Sequence, residues 1–188
     1  MSGVRIAAWQ HVEGRRGFEV ARLEAADDGG YVIDGHSTGE DEGMGWGMHY
    51  TLRVDGSWTT RSLDAAGFAE DGAWSLSLTA DGAGARTRDG VPAPEFDGCL
   101  DVDMVSTVLT NTLAVRRLGL EVEGSGTLDV VWIGTPAGRE VERMPQRYTR
   151  VGIRGFRFEV VGGDFEADLE IDEFGLVLVY PGLAQRVA

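Results

Sequence analysis

The stretch DGCLDVDMVSTVLTNTLAVRRLGL (97–120) gathers most of the side chains in this chain that could do chemistry. It holds the only cysteine, Cys99, two aspartates at i and i+2, an Asn111-Thr112 pair and the double arginine Arg116-Arg117. Asp101-Val-Asp103-Met-Val105 has the form of the nucleophile and general-acid pair of phosphatases that pass through an aspartyl phosphate. Asp-x-Asp is also the metal–nucleotide motif of many sugar transferases. The phosphatase chemistry needs its loop at the end of a buried parallel strand, with a lysine to clamp the phosphate. All 17 basic residues here are arginines, and no alternation of strands with helices surrounds the motif. The structural alternative is a strand that turns Asp101 and Asp103 toward water or toward Arg116 and Arg117. A hydrolase or isomerase that uses Asp101, Asp103 or His49 as acid–base groups on a small hydrophobic or sugar-bearing substrate stays open as the catalytic reading.

Other reactive arrangements are missing. Without lysine there is no Schiff base, no P-loop phosphate lysine and no Ser-Lys pair. His11, His36 and His49 lie far apart in sequence, with no HxxxH or CxxC spacing for a metal. The acidic loop GHSTGEDEG (35–43) lacks the ligand spacing of a calcium-binding EF-hand. No serine sits in a GxSxG elbow. Cys99 paired with a histidine stays open as a nucleophile, although a lone cysteine on a strand is most often a small buried hydrophobe. The residues therefore call for no cofactor and no metal.

The elements that must position these groups follow from composition and rhythm. A chain of 188 residues suits one β-roll domain, 1–188, able to bury about 70% of its unfolded surface. A net charge of -14 argues against nucleic acid, whose phosphates need a positive stripe, and against adsorption to an anionic membrane. A single cysteine forms no internal disulfide, the first twenty residues hold no signal-type apolar run, and no transmembrane segment is legible. Together these lead to the expectation of a cytoplasmic protein.

The dominant rhythm has period two, the mark of half-buried antiparallel strands. WGMHYTLRV (46–54) places Trp46, Met48, Tyr50, Leu52 and Val54 on one face. AWSLSLTA and FEADLEID repeat the pattern, and LDVVWI, RYTRVGI and GFRFEVV are further strands. GLVLVY (175–180) is apolar on both faces and should be covered on both. Asp-Gly, a strong hairpin signal, begins at positions 28, 34, 55, 71, 81, 89 and 97. The long loops fall at 81–96 and 134–146, the latter with a second part able to become a strand. Only after Met104 does the spacing turn helical, through Val105, Val108, Leu109 and Thr112, which predicts a short helix over about 104–113. Asp103 or Ser106 should cap it. VRRLGLEV should then return to a strand. This gives a mainly antiparallel sheet that curls around a single helix.

Longer blocks of the chain carry a resemblance. FDGCLDVDM, TNTLAVRRLGL, Trp58-Thr-Thr-Arg61, Gln146-Arg-Tyr148 and the terminal GLVLVYPGLAQR resemble a bacterial glycolipid-binding family, from about Trp9 to Arg186. The resemblance implies a spiral β-roll, or half-barrel, of antiparallel strands wrapped around one α-helix. That fold is similar to the bacterial lipoprotein-localisation factors, which hold acyl chains. It implies a non-catalytic binder of a lipid or glycolipid, taken up by the concave interior. On that reading Trp46, Tyr50, Trp58, Trp74, Trp132 and Tyr148 line the cleft, while Arg61, Arg116 and Arg117 meet a headgroup. Ala114 stands where the family has proline, which should loosen the connection after Thr112.

Overall fold

The computed structural model describes residues 3–13, 15–41, 43–70, 72–134 and 140–188. Among them the chain forms one open, curved sheet of fifteen strands and one α-helix. β1 (Val4–His11), β2 (Arg16–Ala25), β3 (Tyr31–Asp41), β4 (Met44–Val54), β5 (Thr60–Ala69) and β6 (Gly72–Ala80) make an antiparallel meander, extended by the short β7 (Arg86–Arg88) and β8 (Val91–Pro92). On the other flank of β1 the order is β15 (Ala184–Arg186), β14 (Val177–Tyr180), β13 (Glu166–Ile171), β12 (Gly155–Val160), β11 (Val141–Arg150), β10 (Ser125–Ile133) and β9 (Asp101–Met104). β9 and β10 run parallel, and every other pair is antiparallel. The β9 end curls back toward the meander, where the Thr60 N–H donates to the Leu100 carbonyl at 2.9 Å.

The rhythm of 46–54 is kept in β4, with Trp46, Met48, Tyr50, Leu52 and Val54 buried and His49 and Arg53 exposed. The Asp-Gly turns hold at 28, 55, 81 and 89, between consecutive strands. Asp97-Gly98 follows a 3-10 turn at Pro94–Phe96, and the pair at 71 falls partly outside the described residues. Asp34-Gly35 is no turn at all but the middle of β3. Gly35 pairs with Tyr50 across the sheet, and a Cβ there would stand 2.1 Å from the Tyr50 ring. The glycine is needed for that close approach rather than for a turn. The same device recurs where Gly39 faces Trp46 and Gly67 faces Trp74. The expected long loop at 81–96 in fact carries β7, β8 and the 3-10 turn, and 141–150 is strand β11.

The helix, α1, is Thr110–Leu118, several residues later than the expected 104–113. The apolar spacing from Met104 to Thr112 reflects a segment enclosed by the roll, where Met104, Val108, Leu109 and Thr112 are buried without being helical throughout. Periodicity cannot locate a boundary inside a stretch covered on nearly all sides. The expected strand over VRRLGLEV is likewise replaced. The helix continues to Leu118 and ends on Gly119 in the left-handed conformation (φ 53°). Ala114 lies within α1, which runs unbroken through it, so the residues after Thr112 are helix rather than a connection.

Candidate functional site

Residues 105–109 link β9 to α1, and strands β2, β3 and β4 and the loop before β2 engage several of the polar groups near them. Ser37 Oγ donates to the Ser106 carbonyl at 2.6 Å, and Ser106 Oγ donates to Met48 Sδ at 2.8 Å. An arginine from the loop after β1, Arg15, donates to the Val105 carbonyl at 2.8 Å. The start of the helix is met by Glu19 of β2, whose Oε2 accepts from the Val108 N–H at 2.5 Å while Oε1 accepts from the Tyr50 hydroxyl at 2.8 Å. Neither Asp103 nor Ser106 caps the backbone as expected. A carboxylate at a helix N-terminus is favoured by the unpaired amides there, but this one comes from a strand some ninety residues earlier. Complete burial pushes the Glu19 carboxyl up to about 7, against the downward pull of Val108, Tyr50 and Leu109.

The two aspartates of the sequence motif have separate environments. Asp101 is buried and paired with Arg117, whose Nε lies 3.0 and 2.9 Å from its two oxygens. Burial still raises its carboxyl, opposed by that arginine and by Arg86. Among the described residues, no arginine pairs with Asp103. Its Oδ1 accepts from Thr110 Oγ1 at 2.8 Å and its Oδ2 from Gln146 Nε2 at 2.7 Å. Burial pushes its carboxyl up as well, and the neighbouring Asp101 adds to the rise.

Asp103 opens onto a cavity of about 420 Å³ between the 104–111 segment and the β10–β14 half of the roll. That volume lies in the range of small-molecule sites, about 300–1,000 Å³. Its apolar walls are Trp132, Met144, Phe158, Val160, Phe165 and Leu183. Val105, Gly163, Asp164 and Phe165 are exposed and mark the mouth, whereas Gln146, Asn111, Met104 and Tyr180 are buried and mark the inner end. Asn111 is spoken for, accepting from the Tyr148 hydroxyl at 2.9 Å and donating to the Val108 carbonyl.

Of the expected ligand contacts, Trp132 lines this cavity. Tyr148 stands behind it, buried and bonded to Asn111. Trp46 is buried beneath the Arg15 guanidinium, and Tyr50 is buried against Glu19. Trp74 is half-buried across Gly67. Trp58, in a loop at φ 67°, stacks on Tyr31 at 4.9 Å. Arg116 lies 4.9 Å from the ring centres of both Trp58 and Phe174, on the border of a second, more open depression. Arg117 is committed to Asp101, and Arg61 donates to the Asp81 carbonyl. His49 is exposed on the outer face beside His36, remote in the sheet from Asp103. Cys99 is buried. Among the described residues, no cluster of three or more potential metal ligands occurs.

The residues missed from the sequence are Gln146, Phe158, Val160 and Tyr180, together with the inward role of Asp103. Gln146 had a signal, since it shares a strand face with Tyr148 in β11. Nothing short of the pairing order would place Tyr180 across from Asp103.

An apolar-walled cavity with a few polar groups at its border thus lies inside an open, curved and mostly antiparallel sheet. The chain belongs to the family described as "Putative glycolipid-binding", whose model matches residues 6–186. It is similar to a DUF1089 family protein from Pseudomonas aeruginosa solved by crystallography. The two are 36% identical, with a TM-score of 0.78 over 90% of this chain and 92% of that one. A β-barrel-like protein of the domain of unknown function DUF1849, from Brucella abortus, shares the fold alone. It has 7% identity and a TM-score of 0.55, covering 97% of this chain and 93% of that one. No curated protein matches the chain. Among the described residues, no helix is long and apolar enough to cross a membrane.

Proposed function

We propose that this protein binds one amphiphile, a lipid or glycolipid, with its apolar part in the cavity bordered by Trp132, Phe158 and Val160. The carrying observation is an apolar-walled space of about 420 Å³ between the 104–111 segment and the β10–β14 half of the roll. Each methylene moved from water into it contributes about 0.8 kcal/mol. The binding is non-catalytic on this reading, and the 1–188 chain acts as one β-roll. Arg116 and the second depression are the natural place for a headgroup only if the ligand reaches around the helix.

Native mass spectrometry of freshly purified protein, followed by solvent extraction, should recover a bound amphiphile. A Val160→Trp variant, which puts an indole into the cavity, should lose that cargo while remaining folded. Wild-type protein that neither carries cargo nor binds added amphiphiles would refute the proposal. One observation favours a second reading, acid–base chemistry. Asp103 is a carboxyl kept toward its neutral form by burial at the end of a cavity. Turnover of a substrate by wild type, lost in Asp103→Asn with binding kept, would decide for that reading.

A further inference from the structure

The outer face of the roll brings together two imidazoles that show no metal-binding spacing in the sequence, where thirteen positions separate them. His36 of β3 and His49 of β4 are direct partners across the sheet, and both are exposed. Their ring centres lie 4.6 Å apart, with the planes inclined by 39°. The core fixes this meeting. β3 and β4 pair without a register slip, with Ile33 and Ser37 on one strand and Met48 and Tyr50 on the other buried on the inner face. A slip of one residue would turn that buried set outward, so the packing that holds the register also holds the two rings opposite each other. Among the described residues, neither ring takes part in a hydrogen bond or an ion pair, which leaves their nitrogens available.

The separation is that of a chelate. A metal about 2.0–2.1 Å from a ring nitrogen lies about 3.2 Å from the ring centre, so two imidazoles bound at about 90–110° have centres about 4.5–5.2 Å apart. The observed 4.6 Å falls at the square end of that interval, the cis angle of tetragonal copper(II) rather than the wider one of tetrahedral zinc. Exposed side chains change rotamer in picoseconds to nanoseconds, so the nitrogens can converge with the backbone in place. The surroundings suit a cation. In the neighbouring row of the sheet, Asp34 and Asp64 flank Thr51, whose Oγ1 donates to Asp34 Oδ1 at 3.0 Å. Arg22 faces Asp34 from β2 but is turned to Glu24, at 2.8 Å. One row away, at about 7–8 Å, carboxylates act through coordinated water rather than as direct ligands. Ala66, opposite His49 on β5, is small and leaves room for that water. The net charge of -14 draws cations to the surface as a whole.

We propose that the outer face of β3 and β4 carries a two-histidine site for a divalent transition-metal ion, copper(II) above the others. His36 and His49 are the ligands, water fills the remaining positions, and Asp34 and Asp64 stand behind that water. The site is separate from the cavity and does not rest on the amphiphile reading. The test titrates copper(II) sulfate into the full chain and follows it by electron paramagnetic resonance and by melting temperature. Wild type should bind one ion with hyperfine coupling to two imidazole nitrogens, and its melting temperature should rise, because the two ligands meet only in the folded chain. His36→Ala and His49→Ala alter exposed side chains and should keep the fold. Each should weaken binding about 100-fold, the gain a second linked ligand confers. Asp34→Asn should weaken it about tenfold, as loss of an outer partner does. Copper bound equally well by wild type and both histidine variants would place it elsewhere on the chain and overturn the inference. So would a wild-type spectrum without two imidazole nitrogens.

Discussion

Glu19 gives the sharpest quantitative expectation. It is fully buried, with Phe18 and Val20 on either side of it 55% and 42% exposed, so β2 turns a carboxylate inward where its neighbours turn apolar groups outward. Burial raises its carboxyl from 4.5 to about 7. A carboxyl raised on folding contributes stability below its unfolded value and loses that contribution as pH rises through the folded one. The whole displacement, at 1.36 kcal/mol per unit, is about 3 kcal/mol. Nearly all of it develops between pH 4.5 and 7.

Glu19→Gln keeps the shape, can still accept from the Val108 N–H and can donate to the Tyr50 oxygen, but it does not ionise. Urea unfolding at pH 5 and pH 8 should therefore show wild type losing about 2.5 kcal/mol more than the variant. With a slope of about 2 kcal/mol per molar urea, the gap between their midpoints should change by about 1 M between the two pH values. Asp101 and Asp103 are raised too, but both remain in the variant and drop out of the comparison. Parallel pH profiles for the two proteins would refute the argument, and would mean that the amides of Val108 and Leu109 hold Glu19 ionised despite its burial.

Two further outcomes follow from single contacts. Gly35→Ala would set a methyl 2.1 Å from a Tyr50 ring that is tied to Glu19; the strain should cost about 3 kcal/mol and lower the melting temperature by roughly 10 °C in a scanning calorimeter. Arg117→Met would leave Asp101 buried and unpaired, with an expected loss of about 3–5 kcal/mol in urea unfolding at pH 8, reduced at low pH where the aspartate is neutral.

The period-two strands were legible because β4, β6 and β13 each set one apolar face against one polar face. The first three strands were not read, and the reason lies in their inward residues. β1 buries Ala7, Trp9 and His11 while leaving Ile6 61% exposed, and β2 buries Glu19. In such strands the hydrophobic pattern points the wrong way. The helix was foreseen, but its start was misplaced by a segment whose burial owes nothing to helical geometry. The cavity was the least legible feature. Its walls come from strands far apart in sequence, and aromatic residues such as Trp46 and Tyr50 look identical in composition whether they fill a core or border a space.

That space needs a physical reason, because a roll around a helix would ordinarily pack solid. A nine-residue helix is too short to persist by itself, and apolar contact alone does not fix its rotation or depth. Here Glu19 meets its start, Asp103 takes its first hydroxyl, Tyr148 bonds Asn111 and Asp101 takes Arg117 in the last turn. Polar bonds at both ends can set the helix at one height, so that the wall facing Phe158 and Val160 need not collapse onto it. The ion pair then serves position more than stability, and the two are separable. Asp101→Leu with Arg117→Met removes both charges together. Replacing a buried pair by apolar groups is often neutral or stabilising by about 1–4 kcal/mol, unlike loss of one partner. The double variant should thus recover part of the stability lost in Arg117→Met, the rest being forfeited because buried Arg86 also loses the field of Asp101, yet bind amphiphiles more weakly because the helix is free to settle into the cavity. A double variant as unstable as the single one would show that the pair itself supplies net stability, and unaltered binding would show that the helix is held without it.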